Sequence, residues 1–193
     1  MNRKILSSLS LFLIGFLTFS SSVWCGEVQT ITLGGKPLTL MGEKLQTGKM
    51  LPTVLLPDLG LNMVDLQSFK GKVTLLSVVP SLDTPTCDKQ THILSEENKG
   101  LDKIANLITI SRDLPFAQKR FATKTKMQNI TFLSDYRDAQ FGKSTGLLIE
   151  ENRLLARAII ILDPEGTVRY LEIVSELSKL PDMEKAMEFA RSL

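Results

Sequence analysis

Cysteine and histidine are scarce in this 193-residue chain, which contains only Cys25, Cys87 and His92 of these two types. No cluster of histidine, cysteine and acidic residues therefore indicates a metal site. The sequence has no C-x-x-C pair, which excludes dithiol exchange through such a motif. Because Cys25 lies at the end of a hydrophobic leader, the question of thiol chemistry centres on Cys87.

Aromatic residues are also few, and charge of neither sign is in excess. Phe, Trp and Tyr make up 6% of the chain, and 23 Lys and Arg against 21 Asp and Glu leave a formal net charge of +2. The basic residues are scattered and do not alternate with aromatic ones, so nucleic-acid binding has no support.

The first 25 residues have the layout of a secretory signal peptide. The positive start MNRK precedes the apolar run ILSSLSLFLIGFLTF, and the small-residue stretch SSSVWCGE follows it. The run is shorter and richer in serine than a membrane span of about 20 apolar residues. We therefore predict cleavage of this leader and export of the protein, with the periplasm as its destination. An uncleaved membrane anchor is the alternative.

Cys25 has more than one predicted fate. Val23 and Cys25 fit the pattern of ordinary signal cleavage, which would remove Cys25, whereas cleavage after Ser22 would retain it. A lipid anchor through Cys25 is a further alternative, although the preceding Trp24 is bulky where a lipoprotein site has a small residue. Loss of Cys25 would leave one thiol in an oxidising compartment, where an odd cysteine is reactive or pairs with another molecule.

The chain after the leader reads as alternating strands and helices. Four apolar runs predict buried strands, and a fifth returns after the turn DPEG as a hairpin: VTLLSVV, ANLITISR, ITFLSD, ARAIIILD and VRYLEIV. Helical stretches lie between the first strands and at the C-terminus, where Leu180, Met183, Met187 and Ala190 are predicted to share one face. VQTITLGGKPLTLMG predicts an N-terminal β-hairpin at its two glycines. This order predicts one α/β domain with a mixed central sheet flanked by helices.

The stretch PSLDTPTC, residues 80–87, predicts a helix that begins beside its cysteine. Pro80 ends the preceding strand because it has no N–H to donate. Pro85 suits the first helical position and favours an extended Thr84, as a helix cap requires. Cys87 then lies in the first turn, where unpaired N–H groups and the helix dipole favour a thiolate. The dipole contributes only about 0.3–1 kcal/mol, so a strongly reactive thiolate needs a nearby cation.

The same residues raise two further questions: whether Cys87 is only a core residue, and whether His92 activates it. A buried cysteine is often a small apolar core residue, although Asp83, Thr84 and Asp88 make the surroundings of Cys87 polar. His92 lies five positions further along, and side chains at that spacing diverge on a helix. We therefore predict that His92 is a surface residue and does not activate the thiol.

Pro80, Thr84 and Cys87 together spell P-x-x-x-T-x-x-C, which resembles the active-site signature of the peroxiredoxins. The resemblance covers about residues 28–193 and is to the thiol peroxidase family. It is carried by blocks in the family's order: VQTITLGGKPLTLMG, LQSFKGKVTLLSVVPS, SVVPSLDTPTC, SRDLPFAQKRF, LSDYRDAQFGKSTG and LLARAIIILDPEG. It implies a thioredoxin-like fold and the reduction of hydrogen peroxide and organic hydroperoxides, with no bound cofactor.

The resemblance also implies roles for four residues. Cys87 would attack the peroxide O–O bond and become a sulfenic acid, and Thr84 would hydrogen-bond the thiolate or the peroxide. Pro80 would shield the thiolate from water. Arg157, in LLARAI, matches the active-site arginine and would supply the missing cation. Considered without the resemblance, Arg157 would be a surface arginine at the start of a strand.

The chain departs from the family at one position. Members carry a resolving cysteine directly after the R-F pair of the helix that follows DLPFAQ, and here that residue is Ala122. The usual intramolecular disulfide cannot form, so a sulfenic acid at Cys87 must meet an external thiol or oxidise further.

The expected partners follow from this departure. They are a hydroperoxide and a thiol reductant, either a thioredoxin-like protein or a small thiol, and the family suggests a homodimer. A redox sensor that forms mixed disulfides without efficient turnover is an alternative function. A purely structural thioredoxin-like domain is a third.

Overall fold

The computed structural model describes residues 29–193, so the predicted signal peptide at residues 1–25, with Cys25, lies outside the described residues. Within this part the chain forms ten strands and four α-helices. In chain order they are β1 (Thr30–Leu33), β2 (Lys36–Met41), β3 (Leu55–Pro57), β4 (Met63–Asp65), β5 (Thr74–Val78), α1 (Pro85–Glu96), β6 (Asn106–Ser111), α2 (Pro115–Thr125), β7 (Thr131–Ser134), α3 (Gln140–Thr145), β8 (Leu148–Ile149), β9 (Ala158–Leu162), β10 (Val168–Ile173) and α4 (Met183–Arg191). Short 3-10 turns lie at Leu66–Phe69 and Leu101–Lys103.

The central sheet has five strands in the order β10-β9-β5-β6-β7. β5, β6 and β7 are parallel, whereas β9 runs antiparallel to β5 and β10 antiparallel to β9. Every residue of β5 and β9 is buried, because both faces of the sheet are covered and alternate side chains point to opposite faces. Leu75 and Leu76 of β5 accordingly lie in different apolar clusters. The predicted mixed sheet is confirmed.

The predicted N-terminal hairpin is also confirmed. β1 and β2 pair antiparallel, and Gly34 and Gly35 between them have φ values of 59° and 77°. A two-residue hairpin turn with positive φ at both positions favours glycine. β8 extends this pair to a three-stranded sheet. The sequence did not predict β8, because two apolar residues are too short to show a period.

A second short pairing was also missed. β3 and β4 form a separate two-stranded ribbon, which the apolar runs of the sequence did not predict. The terminal helix buries Met183, Ala186, Met187 and Ala190. Leu180, predicted on the same face, precedes this helix and is only partly buried. Among residues 29–193, no helix combines the length and apolar character needed to cross a membrane.

The sheet register brings two distant parts of the chain to one edge. Val78, the last residue of β5, pairs with Ala158, the first residue of β9. The loop that begins at Pro80 therefore leaves the sheet beside Arg157. The parallel neighbour β6 ends at the same edge, so Asp113, two residues after that strand, also faces this loop.

Candidate active site

The helix that carries Cys87 begins as the sequence predicts. Thr84 precedes it in an extended conformation, with φ −111° and ψ 144°, and Pro85 occupies the first position of α1. The Thr84 carbonyl accepts the Asp88 N–H at 2.9 Å. Its hydroxyl, however, does not cap the backbone. The hydroxyl is instead left available to the cysteine one turn further on.

Cys87 is fully buried, but two polar side chains reach its sulfur. The Thr84 Oγ1 lies 2.9 Å from the Sγ, and the Arg157 Nη2 lies 3.4 Å from it. Leu82 and Phe132 belong to the apolar cluster that encloses the thiol. Cys87 is thus a buried thiol with one hydroxyl and one guanidinium at its sulfur. An apolar filler residue would have neither.

The Thr84 hydroxyl has two neighbours and one hydrogen to give. Its oxygen lies 2.9 Å from the Cys87 Sγ and 3.1 Å from the Ser81 carbonyl oxygen. A thiol can donate its S–H to the Thr84 oxygen while the hydroxyl donates to Ser81. A thiolate can only accept, so the hydroxyl must then turn its hydrogen toward the sulfur. The geometry therefore serves both protonation states of the cysteine.

Arg157 is buried, with 2% of its surface exposed, and all three of its guanidinium nitrogens have partners. The Nε donates to the Leu177 carbonyl at 3.0 Å, the Nη1 donates to the Gln90 Oε1 at 2.8 Å, and the Nη2 faces the Cys87 Sγ. This contradicts the interpretation of Arg157 as a surface residue. A guanidinium has five N–H groups, so donors remain for an oxygen atom bound beside the sulfur.

Gln90 was not singled out from the sequence. Its side chain is fully buried, and its Nε2 donates to the Ser77 hydroxyl at 2.8 Å while its Oε1 accepts from Arg157. The sequence contains a signal for it, because Gln90 is three residues after Cys87 and so lies on the same side of α1. A buried amide between a strand hydroxyl and a guanidinium fixes the orientation of both.

Asp113, in the block SRDLP, also lacked a predicted role. Its carboxylate accepts from the Ser81 hydroxyl at 2.7 Å, the Leu82 N–H at 2.7 Å and the Ser111 hydroxyl at 2.8 Å. These bonds tie the loop before α1 to the end of β6. The sequence contained one signal for Asp113, because it follows a predicted parallel strand beside β5, where functional residues are common.

The remaining predicted residues are placed as follows. Pro80 is buried two residues after the end of β5. Ala122 is 7% exposed and belongs to the same apolar cluster as Cys87. His92 is partly exposed, and its ring nitrogens contact Asp88 and Glu96 and not the Cys87 sulfur, as predicted. Among residues 29–193, no three His, Cys, Asp or Glu side chains are grouped to hold a metal ion.

A cleft of about 880 Å³ lies between the start of α1 and α2. Thr84 and Pro85 line it on one side, and Arg120, Phe121 and Lys124 line it on the other. Thr84 thus touches both the buried sulfur and the open cleft. A smaller cleft of about 340 Å³, between the other end of α1 and α4, contains none of the predicted site residues.

Comparison with known proteins places this chain in a family. The profile of the Redoxin family matches residues 46–187. The thiol peroxidase of Halalkalibacterium halodurans is 47% identical over 165 residues, which are 84% of this chain and 98% of the relative. That of Staphylococcus saprophyticus is 44% identical over 163 residues, with the same two coverages.

A solved structure agrees with these sequence matches. The peroxiredoxin-like protein from Aquifex aeolicus superposes with a TM-score of 0.80 at 34% identity, over 86% of this chain and 99% of that one. Its fold is therefore shared over nearly the whole described chain, as the resemblance implied. The chain belongs to the Redoxin family and, within it, to the thiol peroxidases.

Proposed function

We propose that this protein is a thiol-dependent peroxidase that reduces hydrogen peroxide and organic hydroperoxides through Cys87. The observation that carries the proposal is the environment of the sulfur, with the Thr84 hydroxyl at 2.9 Å and the Arg157 guanidinium at 3.4 Å. The thiolate is the nucleophilic form of a cysteine, and a cation and a hydroxyl donor are groups that can bond to it.

In the proposed first step the Cys87 thiolate attacks the terminal oxygen of the hydroperoxide. An S–O bond forms, the O–O bond breaks, and the leaving alkoxide or hydroxide takes a proton to become an alcohol or water. Cys87 is oxidised to a sulfenic acid and the peroxide is reduced by two electrons. In this step the unused N–H groups of Arg157 donate to the peroxide oxygens as negative charge develops on them.

Thr84 and Pro80 have supporting roles in the proposal. The Thr84 hydroxyl, which borders both the sulfur and the cleft, orients the incoming peroxide. Pro80 has no N–H and is buried at the end of β5, so it adds an apolar wall without a competing donor. Both residues keep water from replacing the peroxide at the thiolate.

Recycling requires an external thiol, because Ala122 occupies the position of the resolving cysteine. A first thiol displaces water from the sulfenic acid and forms a mixed disulfide with Cys87. A second thiol then releases Cys87 and leaves as a disulfide. Cys87 is 0% exposed and does not line the cleft, so the peroxide and the thiol both reach its sulfur only when the first turn of α1 opens. The donor is a small thiol or a thioredoxin-like protein.

The experiment that tests the function combines intact mass with peroxide consumption. One equivalent of hydrogen peroxide should add one oxygen to the wild type, and a sulfenic-acid reagent should then label Cys87. Excess small thiol should restore the reduced mass and sustain peroxide consumption. The Cys87→Ser variant should fold and do neither. Peroxide consumption by Cys87→Ser at the wild-type rate would refute the assignment.

A redox sensor is the second candidate function. It is favoured by one observation, that Cys87 is the only cysteine of residues 29–193. Steady-state measurements with several thiol donors separate the two functions. A single burst of peroxide loss, followed by an accumulating mixed disulfide, would identify a sensor, whereas continuing turnover would identify a peroxidase.

We also propose that the protein is exported to the periplasm after cleavage of residues 1–25. The order of charged, apolar and small residues in this leader supports export, with a lipid anchor through Cys25 as the alternative. The mass of the protein recovered from separated cell fractions tests both forms. A full-length cytoplasmic protein would contradict export, and a mass increase at a retained Cys25 would identify the lipid.

A homodimer is the oligomeric state we propose. The exposed side chains of Leu114 and Phe116, at the start of α2, offer an apolar surface beside the cleft. Sedimentation equilibrium of the wild type should give twice the chain mass, and Phe116→Glu should shift it toward one chain. A wild type that sediments as a single chain at all concentrations would contradict the dimer.

A further inference from the structure

The segment of residues 175–178, between β10 and α4, joins the N-terminal hairpin to the candidate active site. On the hairpin side, the Thr32 N–H donates to the Ser175 carbonyl at 2.8 Å, and the Leu177 N–H donates to the Thr32 carbonyl at 2.7 Å. Thr32 and Glu176 thereby form a parallel β-bridge. The segment is thus held by β1, whose Thr32 lies 143 positions before Ser175 in the chain.

The Glu176 carboxylate strengthens this attachment. It accepts from the Thr32 Oγ1 at 2.8 Å, from the Gly34 N–H at 3.1 Å and from the Gly35 N–H at 3.4 Å. It also accepts from the Ser178 hydroxyl at 2.8 Å. These donors, Ser178 and Thr32 foremost, lower the pKa of Glu176 to about 2. The carboxylate is therefore ionised, and it binds the turn of the hairpin and its own segment together.

On its other side the same segment contacts the residues around the thiol. The Leu177 carbonyl accepts from the Arg157 Nε at 3.0 Å. The Ser178 carbonyl accepts from the hydroxyl of Thr86, the residue before Cys87, at 3.3 Å. Leu177 is buried. Its backbone N–H donates to the hairpin, and its backbone carbonyl accepts from Arg157.

The Nε bond decides where the rest of the guanidinium points. The group is planar and rigid, so its direction is set once the Nε and the Nη1 are held by Leu177 and Gln90. The Nη2 then faces the Cys87 Sγ. A displacement of about 1 Å in a positioning group is enough to slow a reaction strongly. The position of the Leu177 carbonyl is therefore a condition for the contact between Arg157 and the sulfur.

We propose that Glu176 is a positioning residue for the peroxide reaction, and that it acts on Arg157 through Leu177 by binding the 175–178 segment to the hairpin. The N-terminal hairpin is then part of the active-site structure, although none of its residues hydrogen-bonds to the Cys87 sulfur. This inference rests on the proposed peroxidase function and extends it to a part of the chain that the signature motif does not include.

The test is a double-mutant cycle on the second-order rate of Cys87 oxidation by hydrogen peroxide, followed by quenching and intact mass. Glu176→Ala should slow oxidation about tenfold when Arg157 is present, and by less than about twofold in an Arg157→Met background. A purely structural role would slow both backgrounds by the same factor. The free energy of unfolding is measured for each variant alongside.

Glu151→Ala is the matched control. The Glu151 carboxylate also binds the hairpin, accepting from the Thr39 N–H at 2.9 and 3.0 Å, but it does not bond to the 175–178 segment. It should leave the oxidation rate within about twofold of the wild type. A slowing by Glu151→Ala equal to that of Glu176→Ala would overturn the proposal, since any weakening of the hairpin would then have the same effect.

A second pair of variants avoids reliance on a single large truncation. Thr32→Val removes the hydroxyl that lies 2.8 Å from the Glu176 Oε2 and 3.0 Å from the Ser175 carbonyl oxygen, and it should slow oxidation. Thr32→Ser keeps this hydroxyl and should restore the rate. Equal rates for the two variants would overturn the proposal. If the wild type itself leaves Cys87 unoxidised, the proposed function fails first. If the wild type is oxidised and Glu176→Ala matches it, this inference alone fails.

Discussion

The Nη2 of Arg157 lies 3.4 Å from the Sγ of Cys87, although the two residues are 70 positions apart in the chain. Arg157 is the only cation of residues 29–193 with a hydrogen-bond contact to this sulfur. A helix N-terminus alone stabilises a thiolate only modestly, so a strongly reactive thiolate requires a nearby cation. Arg157 is that cation.

Arg157→Lys should slow the oxidation of Cys87 by about 100-fold, because an ammonium cannot reproduce the donors that face Leu177, Gln90 and the sulfur together. The measurement is quenched-flow intact mass. Arg169→Lys is the control, since Arg169 is half exposed and pairs with Asp163. Equal rates for the two variants would contradict a role for the guanidinium.

Thr84→Val should slow oxidation by about 10- to 100-fold, which is the contribution of a hydrogen bond to a charged group. Valine keeps the shape of threonine but lacks the hydroxyl that lies 2.9 Å from the sulfur. Thr84→Ser keeps the hydroxyl and should retain most of the rate. The idea is wrong if serine and valine slow the reaction to the same extent.

Gln90→Leu should cost about 1–3 kcal/mol of unfolding free energy, because Ser77 and Arg157 each lose a buried partner. It should also slow Cys87 oxidation. Gln118→Leu is a matched control, since Gln118 is equally buried and bonds to Ser111 and the Leu133 carbonyl. Urea unfolding should show a lower free energy of unfolding in both variants, whereas only Gln90→Leu should slow the oxidation of Cys87. Slower oxidation in both would assign the effect to stability.

Ala122→Cys should change the product of oxidation. Ala122 and Cys87 belong to one apolar cluster, so a second thiol there can meet the sulfenic acid once the first turn of α1 opens. The variant treated with peroxide should lose two hydrogens and resist the sulfenic-acid reagent, whereas the wild type should be labelled. Labelling of the variant to the wild-type extent would show that the cluster does not allow this disulfide.

Stability at acid pH should depend on Glu176. Bonds from Ser178, Thr32 and Gly34 lower its pKa from the ordinary 4.5 to about 2. A folded pKa below the unfolded one gives stability that is present above pH 4.5 and lost as the pH falls toward 2. Glu176→Gln should lower stability at neutral pH and flatten its decline in this interval. The check is the denaturation midpoint of the wild type and of Glu176→Gln, measured across this pH interval. Parallel curves for the two proteins would contradict the prediction.

The sequence predicted the elements that bear strong local signals. The apolar runs of β5, β6, β7 and β9 identified the buried strands, and Thr84-Pro85 located the start of α1. The resemblance supplied Arg157, which composition alone would have placed on the surface. The remaining contacts are long-range. The Leu177 carbonyl is a backbone group whose partner is fixed by where β10 ends, and no side-chain pattern encodes that. β8 likewise has no local signal in the sequence, and it is recognised as a strand only from its pairing with β2.

The pairing of Val78 with Ala158 has a consequence for how this chain can vary. Side chains alternate between the two faces of a strand, so a register shift of one residue moves every side chain to the opposite face. An insertion or deletion inside β9 would turn Arg157 away from Cys87 while leaving both residues in the sequence. A homologue with an intact P-x-x-x-T-x-x-C motif and an altered β9 length would then keep its nucleophile and lose its cation. The spacing between Arg157 and Asp163, and not only the motif, is therefore a criterion for peroxidase chemistry in this fold.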